Sequence, residues 1–288
     1  MSRLFRITLV VFTIIGIPVL VYFTATNFLI SPIGGLLGLI FAAVYVALVI
    51  WLFTLSPMWP DRAGAGWRWV AASLVWGAGV SFLIVMASGF PVMDLVSKLG
   101  WDLFEASFGG AYPEEIAKAL GVGVILFTFR GLNRPWHGLM TGALVGLGFE
   151  AIENAMYGAM FAVMDPNSDV DGTLATWALR VFAGPGLHIV FSALAGWGLG
   201  LAVFSAGRTP AWRFRVAGVW LFIAFLLHFG WNIMWPVMWM QVVGMLAVAL
   251  VMYPLLIWVW IQAHRRCVAD DSYAFTPVPT ASVANIRG

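Results

Sequence analysis

Eight apolar stretches, near residues 7–28, 33–55, 68–90, 109–129, 137–163, 186–206, 214–235 and 238–262, fill most of this 288-residue chain. A hydrocarbon core about 30 Å thick is crossed by about 20 apolar residues of helix. Inside it every backbone N–H and C=O must be bonded within the protein, which makes helices the solution for runs of this length. Composition agrees, with 62% of residues hydrophobic and 10% charged, against about 25% charged in a soluble domain. The chain reads as an all-α polytopic membrane protein with about eight transmembrane helices.

The loops give the orientation. With the N-terminus inside, Arg3, Arg6, Arg62, Arg68, Arg130, Arg134, Arg208, Arg213, Arg215, Arg265, Arg266 and Arg287 fall on the inner side, and outer loops hold only Lys98. The positive-inside rule then places both termini in the cytoplasm. These cations are scattered rather than clustered, so no nucleic-acid partner is expected. The single cysteine, Cys267, excludes an intramolecular disulfide and a cysteine-cluster metal site. The N-terminal "MSRLFRITLVVFTIIGIPVLVYF" lacks a small-residue cleavage site and reads as a retained first span. Residues 1–264 form one membrane domain, followed by a disordered cytoplasmic tail at 265–288. Residues 91–108, with Asp94, Lys98, Asp102 and Glu105, are too polar to span and read as an interfacial loop. Residues 173–184 read as a short helix leading into the sixth span, broken at "GPG" around Pro185.

Ionisable residues inside a span cost about 2.5–3.5 kcal/mol each on insertion scales and so tend to mark function. The chain has five glutamates, and four of them lie in apolar stretches. The fourth span carries Glu114, Glu115 and Lys118, with Lys118 one helical turn beyond the carboxylates. The fifth places Glu150, Glu153, Asn154 and Tyr157 on one face, which must look inward. The sixth pairs His188 with Ser192, and the seventh pairs His228 with Asn232. At about 1.5 Å per residue all four sets fall in the outer half of the bilayer, so they can meet in one site. His137, His264 and tryptophans near span ends, among them Trp136, read as interfacial. Glycines at 142, 146, 196 and 200 have the spacing that lets helices approach closely.

At these motifs the sequence resembles the PrsW family of bacterial intramembrane proteases, within a superfamily that includes CAAX-processing and bacteriocin-processing membrane proteases. The resemblance rests on "EEIAK" at 114–118, "GFEAIENAMYG" at 148–158, "HIVFSALAGWGLG" at 188–200 and "HFGWN" at 228–232, and covers about residues 105–235. It implies that Glu114 and Glu115 are the paired glutamates of the site, that Glu153 is the acid of the second motif, and that His188 and His228 complete it. It also implies a bacterial cytoplasmic membrane location and a membrane-protein substrate, for which a single-pass anti-sigma factor is one example.

Two histidines with one or two carboxylates suit Zn²⁺, although no HExxH is present. The expected ligands are Glu153, His188 and His228, joined by Glu115 in one version, with Glu114 as general base and Lys118 and Asn154 orienting the site. A metal-free version has Glu114 or Glu115 activating water while His188, His228 and Asn232 donate to the oxyanion. The same residues also suit a proton-coupled transporter, or a noncatalytic scaffold of the same fold.

Overall fold

The computed structural model describes residues 3–60 and 65–270, which fold into ten α-helices with no strand among them. Helices α1 (Arg3–Ile30) and α2 (Pro32–Thr54) form a hairpin that turns at Ser31. The Ser31 hydroxyl caps α2 by accepting from Gly34 N–H at 2.8 Å, and donates to Asp169 Oδ2 at 2.5 Å. Helix α3 (Gly66–Val75) passes through a π-helical stretch, Trp76–Ser81, into α4 (Phe82–Lys98). A 3₁₀ turn and a second π-helical stretch, Ser107–Ala111, lead into α5 (Tyr112–Thr128). Then follow α6 (Pro135–Ala162), α7 (Asp169–Ala183), α8 (Leu187–Phe204), α9 (Pro210–Trp231) and α10 (Met238–Val268).

Six segments are long and apolar enough to cross a membrane: α1, α2, α3 with α4, α7 with α8, α9, and α10. The two remaining long helices carry the carboxylates. Helix α5 has 17 residues, and the 28-residue α6 is buried at every position from 135 to 155. Protein surrounds α6 on all sides over residues 135–155, so its surface there need not be apolar. Glycine, threonine and glutamate are tolerated there because neighbouring helices, rather than lipid, are their solvent.

Close backbone approach makes this enclosure possible. A Cβ on Gly142 would lie 2.0 Å from Ser192 O, one on Gly146 would lie 2.1 Å from His188 O, and one on Gly196 would lie 2.3 Å from Gly138 O. The α6–α8 seam is therefore glycine against backbone. Gly77 meets Val145 O in the same way, and Gly38 brings α2 against Ala155.

The stretch 91–108 departs from its expected loop. Helix α4 runs on through Pro91 to Lys98, its exposed last turns carrying an Asp94–Lys98 pair at 2.5 Å with i,i+4 spacing. It stops at Gly100, whose φ of +71° lets Trp101 N–H reach back to Val96 O, the left-handed termination glycine favours. The break at 184–186 is where expected, but α7 begins earlier, at Asp169, because Ser168 caps it through Asp171 N–H. Trp136 and His137 are buried rather than interfacial, and His137 Nδ1 accepts from Asn133 N–H at 2.9 Å. At the C-terminal end, α10 continues through Arg265 and Arg266 to Val268; the rest of the expected tail, 271–288, lies outside the described residues.

Candidate active site

Four helices bring the polar residues together. Pro113 stands in the first turn of α5, directly after the π-helical stretch Ser107–Ala111, and Glu114 and Glu115 follow it. Trp76, in the π-helical stretch after α3, donates from Nε1 to Ala117 O at 3.0 Å and fixes this end of α5. The glycine seam holds α8 so that His188 faces α6, and His228 stands in the last turn of α9. Glu114, Glu115, Lys118, Glu150, Glu153, Asn154, His188 and His228 are all buried.

Lys118 lies at the centre. Its Nζ is 2.6 Å from Glu115 Oε1, 3.5 Å from Glu114 Oε2 and 3.2 Å from His188 Nδ1, and it stands 4.7 Å over the Phe149 ring. His188 donates from Nε2 to Glu153 Oε2 at 2.8 Å, which leaves Nδ1 as the acceptor toward Lys118. His228 donates from Nδ1 to Glu115 Oε1 at 2.9 Å, which leaves Nε2 to accept from Asn232 Nδ2 at 3.2 Å. Phe191 stacks on His228 with centroids 4.7 Å apart and fixes its plane. The lone-pair nitrogens of both histidines then point toward one carboxylate oxygen, Glu114 Oε2, at 3.5 Å from His188 Nδ1 and 3.9 Å from His228 Nε2. Three acceptors facing one another repel unless a cation offsets them; Lys118 Nζ reaches two of the three, Glu114 Oε2 and His188 Nδ1, and leaves His228 Nε2 without one.

A family model, the PrsW family intramembrane metalloprotease, matches residues 65–259. The chain belongs to that family. No curated protein and no solved structure matches it. Membership in the PrsW family makes the protein an intramembrane peptidase, with the lipid bilayer as its setting and a membrane protein as its substrate. The PrsW match starts at α3 and ends within α10, so it includes helices outside the four motif blocks. One of them, α4, supplies Phe82, Val85, Met86 and Met93 to the wall of a cavity of about 250 Å³. Glu114, Glu153, Arg180, His188, His228 and Asn232 also line that cavity. Glu115 and Lys118 lie behind it.

The donor set fits the metal that the family description implies. Single ligand atoms from Glu114, Glu115, His188 and His228 all lie within 4.8 Å of one another, and Glu115 Oε2 is buried with no hydrogen-bond partner. Charge points the same way. Three buried carboxylates of the centre, Glu114, Glu115 and Glu153, face two cations, Lys118 and Arg180. With neutral histidines this leaves the cluster short of positive charge, which in a low-dielectric interior is costly. A bound cation would offset it.

Glu153 lies just outside that group of four. Its Oε2 accepts from both His188 Nε2 and Arg180 Nη2. Asn154 Oδ1 accepts from Arg180 Nε, and the guanidinium stacks on Tyr157 at 4.6 Å. Ser192 lies one turn beyond His188, buried and with no partner for its hydroxyl. Two residues that the motifs did not single out complete the surroundings. Glu150 accepts from the backbone N–H groups of His188 and Ile189, and Tyr45 of α2 donates to Glu150. Glu150 carried a sequence signal, since it shares the inward face of Glu153; Tyr45 carried none.

Proposed function

We propose that this protein hydrolyses a peptide bond of a membrane protein at the outer end of an eight-span bundle whose termini are both cytoplasmic, in a bacterial inner membrane. The single observation that carries the reading is the convergence of His188 Nδ1 and His228 Nε2 on Glu114 Oε2 at the wall of a cavity. The inner-side arginines and the near-terminal positions of the site residues on α5, α8 and α9 support the orientation and depth.

His188, His228 and Glu115 would hold Zn²⁺. When bound, such an ion lowers the pKa of water toward 7 and polarises a carbonyl. Glu153 stands one hydrogen bond behind His188, where a carboxylate fixes tautomer and ring plane. Glu114 is the base, because it faces the cavity whereas Glu115 is bound to Lys118 and His228. Glu114 takes a proton from water as the water oxygen bonds to the scissile carbonyl carbon. It returns that proton to the amine nitrogen as the C–N bond breaks. Asn232 Nδ2, at the cavity wall, exchanges its 3.4 Å bond to Ala106 O for one to the carbonyl oxygen as charge develops there. Apolar walls from α4 hold a hydrophobic substrate segment and exclude bulk water. By family analogy alone, a single-pass regulator such as an anti-sigma factor is one candidate substrate.

One observation favours a second reading. Lys118 Nζ already lies among three of the four donors, so it could serve as the site's internal cation, with Glu114 activating water without a metal. Elemental analysis of detergent-purified protein, prepared without chelator, separates the two. About one zinc per chain, lost on replacing Glu115, His188 and His228 together by Ala, is the expected result; no bound metal overturns the zinc assignment. Peptidase activity itself is tested by comparing membrane proteins from cells carrying the wild type or Glu114→Gln. A membrane protein shortened only with the wild type is expected, and identical profiles count against hydrolysis.

A further inference from the structure

Helix α8 starts with nothing of its own to cap it. The residue before it, Gly186, has φ of +68° and no side chain, yet the first N–H groups of a helix have no intrahelical acceptor. Away from water these groups must find one elsewhere. Glu150 Oε2 accepts from His188 N–H at 3.0 Å and from Ile189 N–H at 3.3 Å. Its other oxygen, Oε1, accepts from the Tyr45 hydroxyl at 2.9 Å. A carboxylate at a helix N-terminus is further favoured by the aligned peptide dipoles.

The arrangement is specific to His188. Glu150 holds its backbone N–H, Glu153, three residues further along the same face of α6, holds its ring Nε2, and Gly146 leaves room for its carbonyl. Three positions on one helix fix the histidine at three points. The backbone end depends on Glu150, and Tyr45 stops the Glu150 carboxylate from turning away.

We propose that Glu150 is a positioning residue for His188, capping α8 from the neighbouring helix, with Tyr45 as its tether. The proposal rests on His188 belonging to the reactive centre, but its mechanical content does not require a metal or a substrate. Glu150 neither lines the cavity nor supplies an atom to the four-donor group, and its contact with that group is the His188 backbone N–H, so it acts through His188.

Two measurements on the full-length protein in detergent test it. Hydrogen exchange followed by mass spectrometry reads the amides of His188 and Ile189, and NMR of histidine-labelled protein reads the ring of His188 beside those of His137, His228 and His264. Glu150→Ala should speed exchange at the two amides about tenfold or more and shift the His188 ring signal, while His137 and His264 keep theirs. Glu150→Gln, which keeps an acceptor oxygen, should restore most of the protection and the ring signal. Tyr45→Phe, a change small enough to keep the fold if Glu150→Ala does not, should give a smaller increase in exchange confined to the same amides. The proposal is overturned by wild-type exchange and ring signals in Glu150→Ala or Tyr45→Phe, by a Gln variant no better than Ala, or by all four histidine signals moving together. A wild-type protein without metal would overturn the zinc assignment and leave these outcomes readable.

Discussion

Arg180 of α7 and His188 of α8 share one acceptor, Oε2 of Glu153. Removing the arginine leaves Glu153 with the His188 imidazole as its partner, in a site already short of positive charge. Arg180→Gln is expected to cost roughly 1–3 kcal/mol, between the values for exposed and buried pairs because the guanidinium is partly exposed. A double-mutant cycle with Glu153→Gln, read by thermal unfolding in detergent, should recover most of that loss. Strict additivity would show that the two residues do not interact.

The glycine seam predicts a contrast between two Gly→Ala changes. At Gly146 the new methyl would meet His188 O at 2.1 Å, so α6 and α8 must separate. Overpacking of that kind costs about 1–3 kcal/mol, and here it also displaces His188. At Gly123 a Cβ would meet nothing within 4 Å, so Ala should stabilise the helix by about 0.5–1 kcal/mol. Unfolding temperatures that move the same way in both variants would contradict the seam.

The paired glutamates should behave differently. Glu114→Gln keeps the fold and is expected to lower turnover by roughly 10²–10⁴-fold, the usual contribution of a general base. Glu115→Gln removes the 2.6 Å partner of fully buried Lys118. It should destabilise by about 3 kcal/mol because a buried charge is left under-compensated. Measuring unfolding temperature and cleavage for both variants checks the assignment, and equal loss of stability would refute it.

Metal binding should be visible without a substrate. A ligand present at 100 times its dissociation constant stabilises by about 2.7 kcal/mol. Chelator is therefore expected to lower the unfolding temperature of the wild type, and added zinc to restore it. A His188→Ala, His228→Ala variant should show neither response.

Much of this site was legible because helical geometry is strict. Glu150, Glu153, Asn154 and Tyr157 share a face at spacings of three and four residues, and no fold could have separated them. The meeting of His188 and His228 was expected from their common depth together with the family resemblance. The partners of Glu153 and Glu150 were harder to read. Arg180 stands in no motif, and its reach depends on how α7 lies against α6, which turns on a Gly158–Trp177 contact that no spacing in the sequence gives. Tyr45 was invisible because one tyrosine in an apolar helix has no pattern around it. Polarity misled at 91–98, where charged residues stand on the exposed last turns of α4 rather than in a loop. It misled at Trp136 and His137 as well, since end-of-span position implies an interface only when that turn of the helix is uncovered, and the first turns of α6 are buried in protein.

The enclosure of α6 has a consequence for biogenesis. On the eight-span reading, Glu150 and Glu153 would each oppose entry into lipid by about 2.5–3.5 kcal/mol if α6 left the translocon alone. Its partners for those groups, Arg180 and the start of α8, have not yet been synthesised when α6 emerges. Helix α6 therefore has to wait beside the insertion machinery or the earlier helices until α7 and α8 follow, and Glu150 and Glu153 settle into the bundle only after two further helices have been made.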